Sequence, residues 1–232
     1  MKPRTFAVTL VTVAIAAAAA SLHTAIGSGR APLRTVHVGS AVAERAAHAG
    51  VAAGPADAAV VVRVFSDFQC SACRRLDAEA GTLLRRWAAE GLLRYVHIHA
   101  PLRGHRRGPA AAAASHCAAR AGRAWDMHRL LGERLAEWTR GEPPEPRFVA
   151  YAHTLGIDTA AFARCLADPV TAEQVQRDRA AARALSPDRV PTVYVNDVLI
   201  DGLRHPGQLV DHVRRLLRLP ESGSMARPHG PG

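Results

Sequence analysis

Lysine is all but missing from this chain of 232 residues: Lys2 is the only one, and the formal charge of +10 rests on arginine. Those arginines are scattered through alanine-rich stretches, where both residue types favour helix. Basic runs interleaved with aromatics, the footprint of a nucleic-acid binder, are absent, and aromatics make up 5% of the chain. No nucleic-acid partner is expected. The densest basic patch, RGHRRG at residues 103–108, reads as a solvated loop with at most a weak contact to acidic partners or lipid head groups. No internal repeat is present.

Long apolar runs are also scarce. The run over residues 6–20 is shorter than the roughly 20 residues of a spanning helix. It follows Lys2 and Arg4 and gives way to small and polar residues, with small side chains at 18–21, which is the layout of a cleavable secretory signal. The alternative over residues 1–27 is an uncleaved anchor that stretches towards Ile26 past His23. Either arrangement puts the remainder outside the cytoplasm, in the periplasm or cell envelope, where disulfides persist.

Cysteine is limited to Cys70, Cys73, Cys117 and Cys165. A zinc centre wants a second close pair or histidines at comparable spacing, and Cys117 and Cys165 lie far apart. No metal is therefore expected. His97 and His99 share a strand face and read as partly exposed side chains near its end.

Periodicity places the rest. Residues 28–56 read as a linker in which RTVHVG adds at most one short strand. Residues 58–65 are a β-branched run, as in a strand buried on both faces. Helical spacing follows over 71–90, with Leu76, Leu83, Leu84 and Trp87 on one face and Gly91 as its stop. Residues 92–99 form a second strand, and a right-handed parallel crossover is the default connection. A helical block comes next: Pro109 opens a segment that Gly122 closes. Trp125, Leu131, Leu135 and Trp138 mark a stripe, and Asp158 is placed as an N-cap. Thr171 and Gln174 have capping-box spacing. Two strands meet at Asn196-Asp197, a hairpin signal, before an amphipathic helix over 206–219. Residues 220–232 have no apolar pattern and are expected to be disordered.

Cys70 and Cys73 fall where the first strand hands over to the first helix. Residues i and i+3 of a helix share a face, so both sulfurs can meet in one small disulfide. The unpaired N–H groups and dipole of a helix start favour a thiolate there, lowering a thiol that ordinarily titrates near about 8.5. Cys70, at the exposed end, is the expected nucleophile, and Cys73, one turn inward, the resolving thiol. A zinc knuckle and a structural staple remain as rival readings of the spacing. Pro191 adds a second signal. It precedes a strand from which a central proline would be excluded, and a cis Val190–Pro191 bond resolves the conflict. An ordinary trans proline at a strand start is the other reading.

Together, FSDFQCSAC (65–73), AAAASHCAARAGRAWDMHRLL (111–131), FARCLADP (162–169) and VPTVYVNDVLIDG (190–202) resemble the DsbA-like branch of thioredoxin-fold thiol-disulfide oxidoreductases. The likeness spans about residues 55–219. It implies an α/β thioredoxin-like domain over 57–219, with a helical insertion at about 108–185 between the second β-strand and the cis-proline strand. It further implies that Cys70 and Cys73 are the redox pair and Pro191 the cis-proline, with Val190 and Thr192 flanking it against a bound polypeptide. Relatives with a second cysteine pair use it as a structural bridge, here Cys117–Cys165; two buried free thiols are the alternative. Three departures stand out: Ser71 where proline often follows the first cysteine, no histidine between the cysteines, and Val64 where many relatives carry a buried acid. Asp67 is nearby but differently placed.

The resemblance implies an exported protein that exchanges a Cys70–Cys73 disulfide with cysteines of other extracytoplasmic polypeptides, most simply as a dithiol oxidase. It implies a monomer that needs no cofactor and is reset by a membrane redox partner. Disulfide reduction by the same residues is the nearest rival. A metal-binding chaperone that uses the pair as ligands is the rival from another class.

Overall fold

Strand β3 (Val61–Ser66) is the axis of the molecule, because its β-branched residues are apolar enough to be covered on both faces. The computed structural model describes residues 33–39, 41–186 and 189–220, and the described residues from Arg34 onward form one compact unit. The expected signal or anchor over 1–27 lies outside the described residues, as does the expected disordered tail beyond Pro220. No helix among the described residues is long and apolar enough to cross a membrane.

Six strands form one mixed sheet in the order β1-β6-β5-β3-β4-β2, with β1 at Arg34–His37, β2 at Val51–Ala53, β4 at Arg94–His99, β5 at Thr192–Val195 and β6 at Val198–Asp201. β3 and β4 are parallel, with Phe65 opposite Ile98, and the other pairings are antiparallel. The short strand expected in RTVHVG is β1, and the described residues up to 56 hold more than that strand. They contribute β1 on one edge and β2 on the other, and between them α1 (Ala41–Arg45) buries Val42 against a core containing Phe65 and Ile98. α1 and β2, of five and three residues, are too short for periodicity to register, and their partners lie far along the chain. Gly50 is essential to this edge: its φ is +78°, and a Cβ there would collide with the His97 carbonyl.

The crossover from β3 to β4 is helical as expected, but not one regular helix. α2 (Ser71–Leu76) runs into a π-helical turn (Asp77–Gly81) before α3 (Thr82–Ala89). The Asp77 carboxylate accepts from Arg85 and pairs with His128 at 3.1 Å, and a Cβ on Gly81 would strike that carboxylate. Gly91, at φ +79°, ends the run.

Between β4 and β5 come α4 (Gly108–Arg120), α5 (Ala124–Glu133), α6 (Leu135–Thr139), α7 (Glu145–Thr154), α8 (Thr159–Ala167) and α9 (Pro169–Leu185). This is the helical insertion of a thioredoxin-like α/β fold, and α10 (Gly207–Leu216) closes the chain after β6. The insertion has its own core of Met127, Leu131, Trp138, Phe148 and Phe162, with Phe68 reaching into it from the loop after β3. Each such buried side chain contributes about 1.5–3 kcal/mol. The disulfide Cys117–Cys165 joins α4 to α8. Residues 103–108 are only partly the solvated loop expected. Arg103 and Arg106 are exposed, but Arg107 donates to the carbonyls of Trp138 and Glu142, and His105 meets Asp67.

Candidate active site

The chain leaves β3 at Ser66 and turns through Asp67, Phe68 and Gln69 before α2 begins. Asp67 holds that turn. Its buried carboxylate accepts from the backbone N–H of Gln69 at 2.8 Å and of Leu102 at 2.9 Å, and lies 2.5 Å from His105 Nδ1. Its carbonyl accepts from the Cys70 N–H at 3.0 Å. The turn thereby delivers Cys70 to the N-cap of α2 with extended backbone. The Cys70 sulfur accepts from the Cys73 N–H at 3.4 Å, taking up one of the donors a helix start leaves open.

The two sulfurs differ in environment. Both thiols are free; Cys70 is half-buried and Cys73 only 3% exposed. Burial pushes the Cys73 thiol well above its ordinary range, against the lowering effect of a bond to the Asp67 backbone, while the neighbouring Cys70 raises it further and Ser66 lowers it. Val64, six residues before Cys70, is a buried apolar side chain, so no carboxylate stands there.

Across from Cys70 lies the loop before β5. The Val190–Pro191 bond is cis, and the Cys70 thiol faces the Val190 carbonyl at 3.8 Å. Val190 and Pro191 are half-buried. Thr192 is buried, its hydroxyl donating to the Arg189 carbonyl at 2.9 Å and meeting the Ser186 hydroxyl at 2.9 Å. Thr192 thus steadies the loop with its side chain and has only its backbone to offer a ligand. Two clefts flank Val190: one of about 330 Å³ reaching past Arg75 to Arg204, and one of about 370 Å³ between Leu102 and Arg183. The residues expected at the site are brought together here, whereas Cys117 and Cys165 sit in the helical insertion.

One feature escaped the sequence reading. His97 and His99 are not exposed; each is 2% accessible, and they lie in a buried cluster with His116 and His128. Their rings sit edge to face, His97 to His128 at 4.5 Å, His97 to His99 at 5.0 Å and His99 to His116 at 4.8 Å, with Phe68 against three of them. The reason is tertiary: the insertion packs over the end of β4, which no local pattern announces. Burial holds His97 far below the usual histidine range, helped by His128 and His99. Burial lowers His99 too, although Asp178 opposes it.

Asp178 anchors the cluster. Burial alone would raise its carboxyl, but hydrogen bonds from His116 and His99 outweigh that and hold it well below the usual carboxylate range. It accepts from His99 Nδ1 at 2.5 Å, His116 Nε2 at 2.8 Å and the Gly50 N–H at 2.7 Å. His99, His116 and Asp178 offer ligand atoms within 4.8 Å of one another, the one grouping among the described residues suited to a metal. His99 Nδ1 and His116 Nε2 already bond the same carboxylate oxygen, while His99 Nε2 is buried without a partner.

With that geometry in view, a thioredoxin family model matches residues 46–214. Among curated proteins, the chain is 34% identical over 155 residues to the Na(+)/H(+) antiporter NhaA 3 of Salinispora tropica, covering 66% of this chain and 22% of that protein. It is 32% identical over 142 residues to the NhaA antiporter of Herminiimonas arsenicoxydans, covering 61% and 21%. The chain thus spans about a fifth of the length of these relatives. Among solved structures, a thioredoxin-like oxidoreductase from Silicibacter pomeroyi is 26% identical with a TM-score of 0.57, covering 75% of this chain and 95% of that one. BdbD from Bacillus subtilis superposes with a TM-score of 0.62 at 20% identity, covering 73% and 97%. The thiol-disulfide exchange protein alpha-DsbA2 from Wolbachia pipientis gives 0.61 at 17%, covering 76% and 95%. The protein belongs to the thioredoxin family and has the fold of the DsbA-like structures it superposes on.

Proposed function

We propose that this protein works outside the cytoplasm as a dithiol oxidase, passing a Cys70–Cys73 disulfide to cysteines of other exported polypeptides. One observation carries the reading: a half-buried sulfur at a helix start, 3.8 Å from the carbonyl of a loop that can bind an extended chain, above a buried second thiol. In the oxidised form a substrate thiolate attacks Cys70, the Cys70–Cys73 bond breaks, and Cys73 leaves with the electron pair and takes a proton. Its raised pKa makes that protonation favourable once the bond is broken. A second substrate thiolate then attacks the substrate sulfur and releases Cys70. Two substrate thiols become one disulfide, and the enzyme gains two electrons as the dithiol.

In the mixed disulfide the backbone of Val190 and Thr192 pairs with the substrate as an added strand does, while Pro191 keeps the loop close to the sulfur. Cys117–Cys165 serves as a structural bridge. The protein acts as a monomer without a cofactor, and a membrane redox partner returns the dithiol to the disulfide. Export supports this direction and rests on the basic and apolar layout of residues 1–27. The likeness to antiporters covers too little of their length to extend the reading to ion transport.

The test is oxidation of a reduced, unfolded protein by the oxidised enzyme, beside the dithiol's equilibrium with glutathione. A potential near about −120 mV supports the oxidase; one near about −270 mV assigns the same residues to disulfide reduction. Stoichiometric bound copper or zinc with no turnover would favour the metal-chaperone reading.

A further inference from the structure

The two clefts beside Val190 share a chemical character that the reaction itself does not require. In the first, the floor includes Leu76, Pro191, Leu199 and Leu203, while Arg75, Arg189 and Arg204 stand at the rim. Its one lining acid, Asp201, pairs with Arg189 at 2.6 Å. The second cleft is lined by Arg103, Arg179 and Arg183 and by no carboxylate. Arg75, Arg103, Arg183 and Arg204 are exposed, and they and Arg179 have no acidic partner among the described residues. Asp188, the other acid of this loop, lies outside those residues.

Val190 borders both clefts, and its carbonyl is the group 3.8 Å from the Cys70 sulfur. A polypeptide that pairs along the Val190 loop on its way to that sulfur passes between the two arginine groups. We propose that these clefts select cysteine-containing polypeptides that carry aspartate or glutamate on the flanks of the reacting cysteine. This rests on the exchange reaction proposed above and adds its substrate class. Concave clefts with apolar floors suit an extended chain, whereas a flat basic face would suit an anionic membrane.

The measurement uses the full chain, oxidised, with reduced peptides of equal length. Each carries two cysteines flanked by glutamate, by glutamine or by lysine. Each rate is divided by the same peptide's rate with bis(2-hydroxyethyl) disulfide, because flanking charge alters a thiol's own reactivity. At low ionic strength the glutamate peptide should exceed the lysine peptide by about tenfold. In about 0.5 M salt the ratio should fall to about two or less. The double variant Arg75→Glu, Arg183→Glu should lower the ratio at low salt as well. Equal normalised rates at low salt would overturn the inference and leave the exchange reaction standing, as would a ratio the variant does not move. Equal rates together with inhibition by phosphatidylglycerol vesicles would give the basic clefts to a membrane surface and also overturn it. If no peptide is oxidised faster than by the Cys70→Ser variant, the exchange reading itself fails.

Discussion

Two pairs of cysteines stand in this chain, and their surroundings could hardly differ more. Cys70 and Cys73 are three residues apart, both free, at the point where a buried strand becomes a helix. Cys117 and Cys165 are 48 residues apart and joined, tying two helices of the insertion. The first pair has a helix N-terminus on one side and a loop carbonyl on the other. The second has apolar neighbours such as Phe162 and the Thr171 hydroxyl. The side chain is the same, and Cys165 is half-buried as Cys70 is; what differs is that one pair is free beside the cis-proline loop and the other is already joined. A free sulfur facing a loop carbonyl is suited to exchange, and a bonded pair between two helices is suited to holding them together.

That contrast is sharpest if chemistry and stability come apart on mutation. Cys70→Ser should reduce oxidation of an unfolded substrate to the uncatalysed rate while the thermal midpoint hardly moves. The double variant Cys117→Ala, Cys165→Ala should do the reverse. Freeing a loop of this length costs up to roughly 4 kcal/mol in the chain-entropy model, read as a lower denaturation midpoint with exchange per folded molecule retained.

Asp178→Ala probes the same division without touching sulfur. It leaves His99, His116 and the Gly50 N–H without their shared acceptor, and should cost about 3 kcal/mol of unfolding free energy with exchange again retained. Loss of exchange in the still-folded variant would mean that the two regions are coupled.

Acid offers the mildest perturbation. His97 and His99 titrate below their unfolded range, so the unfolded chain takes up protons first as the pH falls below about 6.5. Stability is then lost at about 1.4 kcal/mol per pH unit for each histidine, until its folded pKa is reached. Asp77 and Asp178, whose folded pKa values are depressed, act with the same sign below about pH 4. Denaturation curves at pH 7.5 and 5.5 should therefore differ, and equal midpoints would contradict the lowered titration of His97 and His99.

The dithiol and its loop were legible because their signals are local: a strand-to-helix handover around Cys70 and a proline at the head of β5. The insertion was legible in outline because its helices are long and amphipathic. β1 was legible as the short strand in RTVHVG, but α1 and β2 were missed, since each is short and finds its partner only in the folded domain. The histidine cluster was hidden for a related reason. Its members come from one strand and two helices, and nothing in the spacing of His97, His99, His116 and His128 tells that the insertion buries them together. Ser66 and the Asp67 backbone, which oppose the effect of burial on the Cys73 thiol, likewise become visible only once the turn is folded.

The most direct test of the account is to let the Cys70 thiol of Cys73→Ala attack a polypeptide whose single cysteine carries a mixed disulfide to a small thiol, which leaves as the thiolate, then map the covalent attachment by mass spectrometry. The account requires a stable adduct on Cys70, with Cys117 and Cys165 still joined. An adduct on Cys117 or Cys165, or none at all under conditions where the wild type turns over, would contradict it.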